Sequence, residues 1–273
     1  MEEINKKTVL DSSFRAEFFP KDYLILAGIL LLGAVLCLLQ RFMESQMGRD
    51  SAYYLTLVSH WQSGGFQGVV DFIGIFWFPP LHLFLIVFLA NAGLSPESAA
   101  IFIGISCAIL MPLISFFIAR ELFHDRRISL VAALLTAINP SIIEMSVQTQ
   151  RDVPYLFAAG WCIYFIVVAI HRNKWFWWCA AGGCFGVSML IRYETAEFLP
   201  LLGIYFIVAL FKKQQKWYSL IRNLVLFAIC GITSMIILLY SSGTLHYMAG
   251  AYYRYFTMQT QYLLGLYHGG QQK

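Results

Sequence analysis

Charged side chains are scarce in this chain: 12% of its 273 residues are Asp, Glu, Lys or Arg, against 59% hydrophobic and 16% aromatic. Soluble globular domains carry roughly twice that share of charge, so an ordinary soluble domain is excluded. Cysteine patterning is missing as well. Cys37, Cys107, Cys162, Cys179, Cys184 and Cys230 all fall inside apolar runs and form no C-x-x-C pair. Neither a disulfide framework nor a zinc site is indicated, and all six read as small apolar packing residues. The chain has no H-E-x-x-H, no His/Cys cluster and no G-x-S-x-G, which leaves zinc-hydrolase and serine-hydrolase chemistry without a foothold. Its net charge of +4 is spread over short loops rather than gathered in a patch, so nucleic acid is not expected as a partner.

What the chain does have is apolar runs of spanning length, recurring from Tyr23 to Tyr240. The fold class is therefore all-α, a polytopic membrane helical bundle. Seven transmembrane spans are expected, at 22–40, 98–119, 128–143, 153–170, 175–191, 195–211 and 223–240. The first is too long for a signal-peptide core and lacks a small-residue cleavage site after it, so it is expected to stay as a signal-anchor. Leu81–Ala92 does not fit the series. About a dozen residues at ~1.5 Å each cover about 18 Å, well short of a ~30 Å hydrocarbon core, and suit a re-entrant or interfacial helix.

Charge asymmetry decides the topology. With 81–92 kept out of the count and the N-terminus cytoplasmic, the segments 1–21, 120–127, 171–174 and 212–222 lie inside and hold 13 Lys/Arg, against 6 outside. If 81–92 crossed, the count would be 8 inside and 11 outside, against the positive-inside rule. The expected protein is thus a multi-pass protein of the cell (inner) membrane. A transmembrane module covers 1–240, with juxtamembrane helices in a long first external loop, 41–97. An external tail, 241–273, is rich in tyrosine and suits a helix lying in the interface. Gly182-Gly183-Cys184-Phe185-Gly186 contains a G-x-x-x-G, the spacing of close helix packing, and no Lys-Ser/Thr follows to make it a phosphate loop.

On this topology Asp50, Glu144, Asp152, Arg49, Arg151, Arg192 and Glu194 all face one aqueous side. Ionisable groups at membrane depth cost on the order of 2.5–3.5 kcal/mol and tend to mark function, although at span edges that cost is smaller. Asp50 stands just beyond the first span, and a helix starting there places Tyr54 one turn on, on the same face. Asp152 starts a span and has Pro154 in the first turn, which suits a charge on the helix dipole as well as a functional acid. Arg192 closes a span next to Glu194; either a local ion pair or a fixed cation for a lipid phosphate accounts for it. Arg49 and Arg151, each beside a candidate acid, offer the same cation. His60 and His82 fall on the external side, near these residues.

Taken in order, these pieces resemble the N-terminal half of GT-C glycosyltransferases, in the branch of bacterial protein mannosyltransferases and lipid A aminoarabinose transferases. The matching features are Asp50-Ser51-Ala52-Tyr53-Tyr54 after the first span and Phe78-Pro79-Pro80-Leu81 opening a short helix. Ala119-Arg120-Glu121-Leu122-Phe123 with Arg126-Arg127, Ala137-Ile138-Asn139-Pro140, the external loop ending at Asp152 and Gly186–Arg192 follow. The similarity runs from about residue 20 to 211.

The resemblance implies an enzyme that takes a sugar from a polyprenyl-phosphate donor and passes it to a glycan, lipid or protein acceptor at the external face. It maps the catalytic base or acceptor-orienting group to Asp50 and a supporting acid to Asp152. Substrate contacts map to Arg49, Tyr53, Tyr54, His82, Arg151, Arg192 and Glu194, with Arg192 the candidate for donor phosphate. No cofactor is firmly implied, and a need for a divalent metal is left open. The family often has Asp-Glu where this chain has Asp50-Ser51, and some members carry Lys near the position of Phe78. Most members also run on beyond this length. Two alternatives therefore stay open beside a glycosyltransferase: a non-catalytic, truncated protein that needs a partner for its C-terminal part, and a transporter of lipid-linked sugar.

Overall fold

The computed structural model describes residues 20–43, 49–73, 79–211 and 216–247, together with 253, 257 and 260. All regular structure among them is helical. The helices are α1 (Pro20–Met43), α2 (Arg49–Ile73), α3 (Leu81–Asn91), α4 (Pro96–Phe123), α5 (Arg126–Ala137), α6 (Pro140–Ser146), α7 (Asp152–Arg172), α8 (Trp175–Met189), α9 (Phe198–Phe211) and α10 (Trp217–Ser241). A 3-10 turn, Tyr193–Glu197, joins α8 to α9.

Local sequence sets the breaks. Ser95 caps α4 by accepting from the Ser98 N–H at 3.1 Å, with Pro96 in the first turn. His124 and Asn173 end α4 and α7 in the left-handed region, at φ +53° and +47°. Asp125 then restarts the chain, its carboxylate accepting from the N–H groups of Arg127 and Ile128 at 2.6 and 3.0 Å. Those two bonds also hold the Asp125 carboxyl below its usual range. The expected span at 128–143 is broken the same way. Pro140 has no N–H to donate and Asn139 caps the new helix, so α5 and α6 meet at a 48° bend.

Among the described residues, five helical stretches are long and apolar enough to cross a membrane: Asp22–Met43, Pro96–Phe123, Asp152–Arg172, Tyr193–Phe211 and Trp217–Ser241. The bent pair α5–α6 makes a sixth. The remaining expected span, 175–191, is a helix of 15 residues, about 22 Å at ~1.5 Å per residue. Tryptophans open it, and an irregular turn at Leu190–Arg192 ends it. It is nonetheless the packing centre of its half of the bundle, with Trp178 and Ala181 fully buried between α7, α9 and α10.

The α8–α10 contact is a glycine seam. A Cβ on Gly182 would stand 2.9 Å from the Phe227 carbonyl carbon, and one on Gly186 would run into Ser234 and the Gly231 carbonyl oxygen. Gly183, which points elsewhere, has nothing within 4 Å. The G-x-x-x-G spacing thus does what its period implies: it lets two backbones meet.

Ion pairs sort the helix termini into two layers. At one end Asp22 pairs with Arg126, and the buried Glu121 takes Arg172 at 2.8 Å, with His171 at 3.7 Å. At the other, Arg41 meets Glu97 at 3.0 Å and Asp152 meets Arg192. The second layer carries a helical cap made of α2 and α3. Gly64 and Gly65 break α2; Gly65 sits at φ +64°, which a side chain would strain. The second half folds back so that His60 stacks on Phe72 at 4.3 Å. Leu57, Val58 and Val69 of α2 and Leu83 and Ile86 of α3 form one core with the first turns of α4 and with Leu190, Ile191 and Leu239. The short α3 matches the expected sub-span helix at 81–92. The tyrosine-rich stretch beyond 247 lies outside the described residues except at Tyr253, Thr257 and Thr260.

Candidate active site

The candidate residues meet where the cap rests on α7 and on the turn after α8. Three connections build the corner. Ser51, next to Asp50 in the first turn of α2, accepts the Thr149 N–H through its hydroxyl at 3.2 Å. Thr149 lies three residues before Asp152, so this bond ties the Asp50 segment to the Asp152 segment. The Leu81 N–H donates to the Leu190 carbonyl at 3.0 Å, which seats the N-terminus of α3 beside Arg192. Arg192 itself crosses to Asp152, the first residue of α7.

Arg192 organises the acids. One terminal nitrogen reaches Asp152 and the other reaches Glu194 at 2.9 Å, while the guanidinium lies over the Tyr155 ring at 5.3 Å. Hydrogen bonding to Glu194 raises its already high pKa, so the charge is permanent. Its Nε is buried and has no hydrogen-bond partner among the described residues. Of the two readings of this residue drawn from sequence, the local pair with Glu194 forms, and a second pair that was not expected reaches across to α7.

Asp50 is exposed on the first turn of α2. Tyr54, one turn on, is buried, and burial pushes its phenol up to about 12. The charges of Arg151, Asp152, Arg192 and Asp50 are all felt at that phenol, which stays protonated. The Tyr54 ring meets His82 edge-on at 5.5 Å. His82 is buried, and burial lowers it to about 4; the Thr149 backbone opposes that shift without making a hydrogen bond of normal geometry.

Tyr53 is exposed. It faces outward from α2 and lies 6.4 Å from Phe72. The side chain of Arg49 is outside the described residues, and Glu144 is exposed on α6. Thr149 and Ser51 were missed from sequence, since nothing in a lone serine or threonine shows that its partner is 98 residues away. Among the described residues no three His, Cys, Asp or Glu side chains converge as metal ligands.

The arrangement offers an exposed carboxylate, a second carboxylate clamped by arginine and a neutral phenol at a helix-bundle end. Groups of these kinds can take a proton from a hydroxyl and stabilise negative charge. The sequence pattern of the dolichyl-phosphate-mannose-protein mannosyltransferase family matches residues 78–232. The matched stretch takes in His82, Arg151, Asp152, Arg192 and Glu194 but begins after Asp50. No curated protein matches the chain.

Proposed function

The chain belongs to the dolichyl-phosphate-mannose-protein mannosyltransferase family, and on that premise we propose that it moves a sugar from a polyprenyl-phosphate donor to a hydroxyl acceptor in the corner bounded by Asp50, Asp152 and Arg192. The family is one of GT-C-type membrane glycosyltransferases, and the bundle described above is a multi-pass membrane fold. The observation that carries the reading is the pair of links between distant segments: Ser51 to Thr149, and Arg192 to Asp152. Together they bring both candidate acids to one end of the bundle.

In the reaction the acceptor oxygen attacks the anomeric carbon, the bond from that carbon to the phosphate oxygen breaks, and polyprenyl phosphate leaves with the electron pair. Asp50, the acid open to water, takes the acceptor proton. Arg192 holds Asp152 against the sugar, and its remaining Nε–H, together with Arg151, supplies positive charge where the leaving phosphate develops its own. Tyr54, neutral over the whole working pH range, donates a hydrogen bond beside Asp50. The lipid serves as anchor and leaving group, so no nucleotide fold is needed. The external side is favoured by the distribution of basic residues, 13 on the opposite side against 6 on this one. The acceptor is a hydroxyl of a glycan, lipid or protein.

The test is release of polyprenyl phosphate from a polyprenyl-phosphate sugar by the protein in detergent micelles. Asp50→Asn should reduce turnover by about 100-fold or more, as the loss of a general base does. Equal rates for wild type and variant would remove Asp50 from the reaction.

A further inference from the structure

The corner contains polar groups that the reaction above leaves idle. His82 is 1% exposed, and only the Thr149 backbone approaches its ring nitrogens, neither of which makes a well-formed hydrogen bond among the described residues. Thr149, 2% exposed, has its hydroxyl in the same condition, although its N–H is bound to Ser51. The two are neighbours, since the Thr149 backbone lies against the imidazole. Three buried polar atoms left over at one point are unusual, because native folds satisfy nearly all such groups.

We infer that His82 and Thr149 form an uncharged subsite that reads a hydroxyl of the transferred sugar. The chemistry is specific. A neutral imidazole donates from one nitrogen and accepts at the other, and a threonine hydroxyl does both. A sugar hydroxyl also donates and accepts, so it satisfies such a pair. A phosphate would need cationic donors here, and an ammonium would need a carboxylate acceptor. Burial keeps the imidazole neutral, which preserves this selectivity. Tyr54 lies edge-on against His82 and, on its other side, feels Asp50, Asp152 and Arg192. Its ring therefore packs against the subsite. The sugar preferred at this point is a neutral hexose rather than an amino sugar. This assignment rests on the donor reading proposed above.

Binding in detergent micelles tests both readings separately. The probes are polyprenyl phosphate alone and the same lipid carrying mannose, glucose, galactose or 4-amino-4-deoxyarabinose. Wild type should bind at least one of the hexose lipids roughly tenfold tighter than the bare lipid. His82→Phe and Thr149→Val should each erase that difference while leaving the affinity for bare polyprenyl phosphate unchanged, and Thr149→Ser should keep it. Failure to bind bare polyprenyl phosphate would sink the donor reading and this inference with it. A wild type that binds the bare lipid but gains nothing from a hexose, or that prefers the amino sugar, overturns the inference alone. Retention of the hexose gain in both variants overturns it too. Should His82→Phe not fold, the Thr149→Val and Thr149→Ser pair decides.

Discussion

Replacing Arg192 with lysine separates two jobs that a cation at this turn can do: holding Asp152, or simply presenting charge to a phosphate. The guanidinium spans two carboxylates, Asp152 through one terminal nitrogen and Glu194 through the other. Lysine keeps the charge, but its ammonium is a point donor on a flexible stem and cannot reproduce the fork. One charge-assisted hydrogen bond is lost, about 1.5–3 kcal/mol. The Arg192 and Asp152 side chains are 28% and 30% exposed, so solvent screening keeps the effect in the lower half of that range. Read as lost transition-state stabilisation, about 1.5–2 kcal/mol corresponds to about a 10- to 30-fold fall in rate. Polyprenyl phosphate release, with kcat and KM measured separately, gives the answer. The expected result for R192K is that fall in kcat, with the donor KM changed by less than about threefold. An unchanged kcat with a KM raised about tenfold would show that the residue serves the phosphate by charge alone, and would refute the positioning role.

The glycine seam makes a structural prediction: Gly182→Ala should cost about 1–3 kcal/mol through overpacking against Phe227, while Gly183→Ala, which meets nothing, should be neutral or stabilise by up to about 1 kcal/mol. Thermal unfolding in micelles compares the two, and equal losses would count against the seam. Acid should act through His82. Its folded pKa, about 4, lies below the ordinary 6.5. As pH falls from 6.5 toward 4 the unfolded chain therefore takes up a proton that the folded one refuses, and stability drops by at most on the order of 3 kcal/mol. His82→Gln should flatten that part of the melting-temperature curve between about pH 7 and pH 4.5, and parallel curves for the two proteins would show that His82 is not the group responsible.

The span positions were legible because one property, apolar length, fixes them. Pro20–Met43, Pro96–Phe123, Asp152–Arg172 and Trp217–Ser241 each contain the expected run and extend past it at both ends, from a single residue at Asp152 and Ser241 to most of two turns at Trp217. Apolar length alone could not show the break in 128–143. Asn139-Pro140 interrupts the helix without interrupting the hydrophobicity, so a bent pair stands where one span was expected. Leu81–Asn91 came through well, as Pro79-Pro80 and Asn91-Ala92-Gly93 bound it on both sides. The candidate acids and arginines were legible as residue types at helix ends. Their partners were not. That Arg192 reaches Asp152 as well as Glu194, and that Ser51 binds Thr149, are contacts between segments 40 and 98 residues apart, and no local pattern encodes them. Tyr53 and Tyr54 illustrate the limit from the other direction. They are adjacent in sequence, yet the helical turn sends one ring outward to Phe72 and the other into the corner against His82.

The balance of charge in the corner gives the proposed reaction a direction. Asp152 and Glu194 share Arg192, so that group of three carries a net single negative charge, and its cation is held in place by the acids rather than turned to water. Asp50 stands apart on the exposed side of α2, whereas Arg151 lies partly buried beside Tyr54 and His82. A carboxylate facing water suits an acceptor hydroxyl arriving from the aqueous phase. Cationic and neutral donors set deeper, next to the apolar α3, suit a phosphate whose lipid chain must remain in the membrane. In the reaction proposed above, the sugar would be held between them with its anomeric carbon toward Asp50 and its leaving oxygen toward the arginines. This is the in-line order that displacement at that carbon needs. A chain that reversed the two, with the lone acid buried and the arginines in water, would hold the same residues and could not do the same chemistry.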